Sequence, residues 1–248
     1  MSKAVTVKTT TFSAGTTRIA VPITSRQPDQ LITEAKRAIK MHPDVIEWRL
    51  DFFNDLDNPA VLKKTGLQLK KLLGNIILLT TFRTATEGGN QALATIDYFQ
   101  LYQLLITNHL ADMLDIELSQ NATNVQQLIR LAHNQHITVI LSNHDFQRTP
   151  TEAEIVRRLV QMQHRHADIA KIAVMPQAAD DVLTLVKATK RAAQLLTIPI
   201  VTMSMGELGK ITRISGPQTG SVLSFATVGK QSAPGQMPIA ELRADLTN

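Results

Sequence analysis

A lysine lies in the middle of an apolar segment of this chain, where an amine has a chemical use. Lys171 is flanked by alanine and isoleucine within residues 169–175, a run rich in β-branched residues that is typical of a buried strand. Burial disfavours the charged form of an amine, and the uncharged form attacks carbonyl carbons. Lys171 is therefore a candidate nucleophile for imine formation. The alternative is a lysine that lies on a sheet edge or extends its ammonium group to solvent.

Other apolar segments also carry charged residues, at spacings that place them on one face of a strand. Residues two apart in a strand share a face, so Glu47 lies with Arg49 and Asp115 lies with Glu117. The strands of a closed parallel barrel are covered on both sides, so charges inside them need a partner or a function. The structural interpretation is a set of inward ion pairs, for example Glu47 with Arg49. The chemical interpretation is an active site.

Polar residues at the ends of two further predicted strands favour the chemical interpretation. One strand ends in Arg83 and another in His144 and Asp145. In (β/α)8 barrels the active site is built from residues at the carboxyl ends of the strands. Charge contributed by several strands at a similar depth indicates catalysis more strongly than a single buried lysine does.

The elements that would position these residues alternate regularly along the chain. Short apolar segments predict eight strands, and segments with apolar residues at helical intervals predict the helices between them. Eight strand–helix repeats in 248 residues predict an α/β fold, a (β/α)8 TIM barrel. The predicted strands are residues 18–24, 45–51, 75–83, 113–118, 137–145, 169–175, 199–205 and 222–228. The predicted helices are residues 29–41, 59–73, 93–108, 123–135, 151–165, 179–196, 207–215 and 238–246.

Local signals refine this prediction. Asp29, Thr123 and Thr151 are predicted helix N-caps, and Pro59 is predicted in a first turn. Residues 1–17 precede the first barrel strand and predict an arm or a hairpin that closes the bottom of the barrel. No low-complexity linker interrupts the sequence, which predicts a single domain over residues 1–248.

The composition excludes several functional classes. The chain has no cysteine, so disulfides and thiolate metal sites are excluded and a reducing cytoplasm is favoured. The N-terminal segment lacks the apolar core of a signal peptide, and no apolar run approaches the ~20 residues of a membrane span. We therefore expect a cytoplasmic protein with no membrane partner.

The positive charge of the chain raises the question of nucleic-acid binding. The net charge is +5 and the pI is 9.6, but the basic residues are dispersed and aromatic residues make up only 4%. A basic surface around an anionic small-molecule site accounts for the charge equally well. We predict a small-molecule substrate and no nucleic-acid partner.

Taken together, the charged segments resemble the type I 3-dehydroquinate dehydratases of the shikimate pathway. The resemblance covers nearly all of the chain beyond the N-terminal arm, and the stretch from Asp115 to Asp145 has the composition and spacing of the family's signature. The matching segments are residues 47–51, 81–83, 87–89, 115–118, 142–146, 171–173, 203–206, 213 and 232–236.

The resemblance implies a dimeric (β/α)8 barrel that dehydrates 3-dehydroquinate to 3-dehydroshikimate. It implies that Lys171 forms an imine with the substrate ketone, that His144 acts as general base and then general acid, and that Glu87 orients His144. It implies a lid over residues 232–236, and neither a metal nor an organic cofactor. The substrate contacts that it implies are Glu47, Arg49, Arg83, Arg213, Ser232 and Gln236, with Met203 and Met205 as an apolar wall.

Two other functions stay open at the level of the sequence. A class I aldolase is another imine-forming barrel; it would share Lys171 but would not require His144 or the lid in this arrangement. A non-catalytic barrel that binds an anionic metabolite would bind its ligand without turnover.

Overall fold

Eight parallel strands curl around a common axis in the computed structural model, which describes residues 3–229 and 231–247. An antiparallel hairpin of β1 (Val5–Val7) and β2 (Thr10–Phe12) precedes them. A short strand, β11 (Met237–Pro238), pairs with the last barrel strand. The barrel strands are β3 (Arg18–Ile23), β4 (Val45–Arg49), β5 (Ile77–Thr81), β6 (Met113–Glu117), β7 (Thr138–Asp145), β8 (Ile169–Val174), β9 (Ile200–Ser204) and β10 (Leu223–Thr227).

The ring of strands closes between β9 and β10. Strands β3 to β9 pair in chain order and β10 pairs with β3. The closing contact is a bridge between Ile200 and Ser221, where the amide of Val222 donates to the Ile200 carbonyl at 2.9 Å. The Ser221 hydroxyl also accepts from the amide of Thr202 at 3.0 Å. The predicted (β/α)8 barrel is therefore confirmed.

The helices lie between the strands close to where the sequence predicts them. In the described part of the chain, no helix combines the length and the apolar character that a membrane crossing requires. The helices of the described residues are α1 (Pro28–Ile39), α2 (Pro59–Leu73), α3 (Thr95–Thr107), α4 (Ala122–Asn134), α5 (Glu152–His164), α6 (Ala179–Leu195), α7 (Ile211–Ile214), α8 (Gly216–Thr219) and α9 (Ile239–Thr247).

Two of the three predicted N-caps are wrong. Thr151 caps α5 as predicted, since its hydroxyl accepts from the amide of Glu154. In α4 the cap is Asn121, whose side chain accepts from the amides two and three residues later, so Thr123 lies inside the helix. Asp29 lies in the first turn of α1, where its negative charge favours the positive end of the helix dipole.

The prediction of one helix over residues 207–215 is also wrong. The chain forms a turn first, and two short helices follow it, α7 near the end of the predicted range and α8 just beyond it. Gly206 has a φ of +70°, which ends the extended chain in a turn. A Cβ on Gly209 would lie 2.1 Å from the Ser204 carbonyl oxygen, so this turn packs directly on the end of β9. The tight turn carries Arg213 to the mouth of the barrel.

The N-terminal hairpin closes the bottom of the barrel, as predicted. Val7 and Phe12 are buried in one cluster with Ala20 and other residues from the amino ends of the strands. Lys8 lies at the tip of the hairpin, and its ammonium group donates to the carbonyls of Gly74 at 3.0 Å and Ile76 at 2.9 Å. The same group forms an ion pair of 2.6 Å with Asp112 before β6. Ligands therefore approach from the carboxyl end.

Two buried tyrosines of α3 separate the carboxyl ends of β5 and β6. The ladder between these strands ends at Thr81 and Asp115. Beyond it, the Tyr102 hydroxyl accepts from the amide of Phe82 and donates to the carbonyl of Asp115. The Tyr98 hydroxyl accepts from the amide of Glu117, the last residue of β6, at 3.1 Å. Because the hydroxyls replace ladder bonds, they satisfy the backbone at the point where the strand ends part.

Candidate active site

The eleven side chains predicted from the sequence to catalyse the reaction or bind the substrate all line one cavity at the carboxyl ends of the strands. The cavity lies at the mouth of the barrel, where the small-molecule sites of this fold are found. No cluster of three or more His, Asp or Glu side chains in the described ranges has the geometry to hold a metal ion. The eleven are Glu47, Arg49, Arg83, Glu87, His144, Lys171, Met203, Met205, Arg213, Ser232 and Gln236.

Lys171 points into this cavity rather than to solvent. Its strand, β8, lies between β7 and β9, and the residue is only 3% exposed, so the edge and solvent interpretations are wrong. Its ammonium nitrogen donates to Oδ2 of Asp115 at 2.8 Å. The same nitrogen lies 4.4 Å from the centre of the Phe225 ring, a distance at which the ring face attracts a cation.

Asp115 is the carboxylate that binds two cations of the site, Arg83 and Lys171. It is fully buried, and its Oδ1 accepts from Arg83 Nη2 at 2.8 Å and from the Ser142 hydroxyl at 2.5 Å. Burial alone would raise the pKa of Asp115, but the positive charges of Arg83 and Lys171 outweigh it and hold that pKa well below the usual range. Asp115 therefore stays ionised beside the lysine.

The sequence identified Asp115 only as an inward charge and gave it no role. On the barrel interior, Asp115 lies level with Ile140 of β7, while Lys171 lies level with Ser142 of the same strand. This stagger brings the carboxylate to the lysine. Because side chains alternate between the two faces of a strand, the sequence predicts that both residues point into the barrel. The stagger between neighbouring strands has no local sequence signal, so the contact between them could not be predicted.

Arg83 connects three carboxylates beneath the cavity. Its guanidinium donates to Asp115 and, through Nη1, to Glu117 at 3.1 Å, and it lies 3.6 Å from Glu87. Burial lowers the pKa of Arg83, but the three negative charges together have the larger effect and raise that pKa well above its ordinary value. The fixed cation balances buried carboxylates that would otherwise repel each other.

His144 and Glu87 form a hydrogen-bonded pair at the cavity wall. Oε2 of Glu87 lies 3.0 Å from Nδ1 of His144 and also accepts from the backbone amide of His144 at 3.0 Å. Burial, followed by the positive charges of Arg83 and Lys171, lowers the pKa of His144 well below its ordinary value. Burial also raises the pKa of Glu87.

The state of the histidine ring follows from these contacts. A neutral imidazole carries one N–H, and the carboxylate at Nδ1 places it there. Within the described part of the chain, no group bonds to Nε2 of His144. A basic nitrogen lone pair is therefore available at the cavity, and the carboxylate is ready to stabilise the imidazolium that forms when it takes a proton.

The loop that carries Glu87 depends on the glycine that follows it. Gly88 has a φ of +79°, a left-handed conformation that a side chain rarely adopts. A Cβ at this position would lie 2.3 Å from the Phe146 ring. The glycine allows the ring to pack against the loop and holds Glu87 against His144.

Glu47 and Arg49 share a face as predicted, but the ion pair between them does not form within the described residues. Nε and Nη2 of Arg49 donate to the two carboxylate oxygens of Asp51, each at 2.8 Å, and Glu47 accepts from the Thr81 hydroxyl at 2.9 Å. Asp51 is fully buried and also accepts from the amide of Asn90 at 2.9 Å. The sequence missed the role of Asp51, although it stands two residues after Arg49.

Arg213 is a buried cation with no carboxylate partner among the described residues. It donates to the carbonyls of Phe225 at 3.3 Å and Pro234 at 2.9 Å, while its Nε has no partner. Burial lowers the pKa of Arg213 to about 10, so the group remains charged at neutral pH. A planar guanidinium that lines a cavity and has no carboxylate of its own among the described residues is suited to binding the carboxylate of a ligand.

The segment over residues 232–236 lies across the cavity. The side-chain amide of Gln236 donates to the Ser232 hydroxyl at 3.0 Å, and the backbone amide of Ser232 donates to Oε1 of Gln236 at 2.8 Å. The carbonyl of Pro234 accepts from both Gly206 and Arg213. A Cβ on Gly235 would lie 2.4 Å from the Gly206 carbonyl oxygen, so only glycine permits this approach. The predicted lid is therefore in contact with the barrel.

Met203 and Met205 form the apolar side of the cavity on β9 and just beyond it. Both are buried, and they cluster with Ala173 and Phe225. The Met203 sulfur lies 3.9 Å from Nη1 of Arg213. An apolar wall beside a cation lowers the local dielectric and strengthens the attraction between that cation and a bound anion.

Comparisons with known proteins agree on one family. The sequence model of the type I 3-dehydroquinases matches residues 19–247. The 3-dehydroquinate dehydratase of Lactiplantibacillus plantarum is 48% identical over 92% of this chain and 91% of its own length. The solved type I 3-dehydroquinate dehydratase of Clostridium difficile, with covalently modified comenic acid, has a TM-score of 0.95 and 38% identity over 99% of this chain and 97% of its own. The Geobacillus kaustophilus enzyme has a TM-score of 0.96 and 33% identity, over 99% and 95%.

Proposed function

The chain belongs to the type I 3-dehydroquinase family, and we propose that Lys171, His144 and Glu87 carry out its reaction. The protein is a 3-dehydroquinate dehydratase, a hydro-lyase of the shikimate pathway that converts 3-dehydroquinate to 3-dehydroshikimate. The observation that best supports the assignment of the residues is that a neutral histidine lines the same cavity as a buried lysine, which is bonded to a buried carboxylate.

The lysine is positioned for imine formation. Attack of the Lys171 amine on the substrate ketone and loss of water give an iminium ion, whose positive charge sits on the nitrogen that carried it in the ammonium form. Asp115, 2.8 Å from that nitrogen, and the Phe225 ring already favour a cation at this point. The charge that the reaction creates therefore finds a prepared environment.

The histidine is positioned for the proton transfers. The iminium acidifies the neighbouring carbon–hydrogen bond, and Nε2 of His144 takes that proton to give an enamine. The enamine expels the hydroxyl group one carbon further on, and the imidazolium returns the proton to it as water leaves. Glu87 holds the ring through Nδ1 during both transfers. Hydrolysis of the conjugated iminium releases the product and restores the amine of Lys171.

The remaining polar residues hold the substrate. Arg213 lines the cavity as a cation with no carboxylate partner among the described residues, so it binds the substrate carboxylate. Its second contact, to the Pro234 carbonyl, couples this binding to the lid. The apolar wall covers the other face of the ring. The hydroxyls are held by Glu47, Arg49, Arg83, Ser232 and Gln236.

Replacing Arg213 with glutamine should mainly weaken substrate binding. A hydrogen bond to a charged group contributes about 1.5–3 kcal/mol, so we expect KM to rise by about 10- to 100-fold with a smaller change in kcat. Arg213→Lys keeps the charge but loses the planar fork, and we expect an intermediate KM. Steady-state kinetics on the three proteins measures the effect. An unchanged KM in Arg213→Gln would mean that the carboxylate binds elsewhere.

The activity itself is tested by incubating the purified protein with 3-dehydroquinate. The product contains a conjugated enone, so we expect an increase in ultraviolet absorbance that follows enzyme concentration. A class I aldolase would instead cleave a carbon–carbon bond. Binding of 3-dehydroquinate without turnover would support the non-catalytic barrel.

We further propose that the enzyme works in the cytoplasm as a homodimer. The absence of cysteine is compatible with a reducing compartment, and dimeric assembly is what the family resemblance implies. Sedimentation velocity should give a species of twice the 27.4 kDa chain mass.

A further inference from the structure

Glu87 is held from two sides, and only one of them belongs to the substrate cavity. On the inner side, Oε2 bonds to His144. On the outer side, Oε1 accepts from the Ser119 hydroxyl at 2.7 Å. Ser119 is exposed in the turn after β6 and does not line the substrate cavity. It borders a separate surface cleft between this turn and α5, which also includes Asn143 and Arg158.

We propose that Ser119 is a positioning residue for the dehydration, because its hydroxyl holds Glu87 as the carboxylate that orients His144. This inference rests on the proposed roles of those two residues. The other donor to Oε1 is the Asn143 amide, at a long 3.4 Å. The oxygen of Asn143 accepts from Arg158 at 2.8 Å, which fixes the amide in place. Without Ser119, Oε1 would keep only the long contact.

The groups that face Glu87 determine how this loss would appear in a titration. Burial is the main influence and raises the pKa of Glu87, Arg83 lowers it, and the Ser119 hydroxyl is the next to lower it. Asp115 raises it from β6. Glu117 on β6 also lies close to Glu87, His144 contacts it from β7, and Arg158 on α5 reaches it through Asn143.

The sign of the effect follows from which form the hydroxyl stabilises. An O–H donor favours the ionised carboxylate, so its removal raises the pKa of Glu87. Burial and neighbouring cations lower the pKa of His144 and burial raises that of Glu87, so Glu87 shares the proton that the pair takes up on acidification. A protonated Glu87 no longer carries the negative charge that stabilises the imidazolium of His144, so the proton transfers of the reaction are slowed. The acidic limb of the pH profile should therefore move to higher pH.

The experiment compares Ser119→Ala with Ser119→Thr. In the alanine variant we expect the acidic limb of the kcat/KM profile to move up by roughly half to one pH unit, the size of one lost hydroxyl bond. On the alkaline side of that limb, KM should match that of the parent protein, because Ser119 does not line the substrate cavity. The threonine variant keeps the hydroxyl at an exposed position and should restore the parent profile.

Two controls separate this inference from the proposed function. Arg157→Ala changes the same cleft without removing a contact to Glu87, and its profile should not move. If the parent protein fails to dehydrate 3-dehydroquinate, the proposed function is wrong. If the parent is active and the limb of Ser119→Ala coincides with it, or the threonine variant shifts equally, the role of Ser119 is refuted.

Discussion

Replacing Lys171 with alanine is expected to abolish both turnover and covalent capture of the substrate. The imine is the electron sink of the proposed reaction, and in the described cavity lining Lys171 is the sole amine. We expect kcat to fall by about 10⁴-fold or more, as when an enzyme loses its nucleophile. Borohydride reduction in the presence of 3-dehydroquinate, followed by peptide mass spectrometry, should label Lys171 in the parent protein and no residue in the variant.

The barrel should survive this substitution. Asp115 loses one partner but keeps Arg83 and the Ser142 hydroxyl, so its carboxylate does not remain alone in the interior. Lys171→Met is the matched control, since it keeps most of the side-chain volume without the amine and should be equally inactive. Circular dichroism melts should show a cooperative transition in both variants. Turnover in either variant, or a reduced adduct on another lysine, would contradict the imine mechanism.

The fold was predictable because its signals are local and repeated. Apolar runs of strand length alternate with helical periodicity eight times, and each repeat is read without knowledge of the others. The wrong predictions lie where close contacts between a few backbone atoms determine the path of the chain. After β9, the glycines at 206 and 209 replace a regular helix with a turn that packs on the strand end. A helical pattern does not reveal how closely a backbone approaches its neighbour.

The candidate site was predictable in its members but not in their partners. Residue type and position at the strand ends, together with the family resemblance, selected eleven of the sixteen residues that line the cavity. The pairings depend on the stagger between strands and on side-chain rotamers. Arg49 therefore bonds to Asp51 rather than Glu47, and Lys171 bonds to Asp115. The bond from the amide of Glu117 to the Tyr98 hydroxyl could not be predicted either. In the sequence, Tyr98 is only one more apolar position of a helix.

His144→Ala should separate imine formation from proton transfer. Lys171 and Asp115 remain in place, so the imine should still form and borohydride should still attach the substrate to Lys171. Without a base at the cavity, we expect kcat to fall by about 10²- to 10⁴-fold, the usual contribution of a positioned general acid–base group. The trapped adduct should be heavier by one water molecule than the dehydrated adduct that accumulates in the parent, because elimination does not occur.

Glu87→Gln tests whether the histidine acts alone or as half of a pair. Glutamine still accepts from the His144 backbone amide but removes the negative charge that stabilises the imidazolium. Its kcat should therefore lie between those of the parent and His144→Ala, with trapping at Lys171 unaffected. If His144→Ala formed the dehydrated adduct at the parent rate, another group would be the base, and Glu87 would not act by orienting the histidine. If His144→Ala lost trapping at Lys171, His144 would instead be required for imine formation.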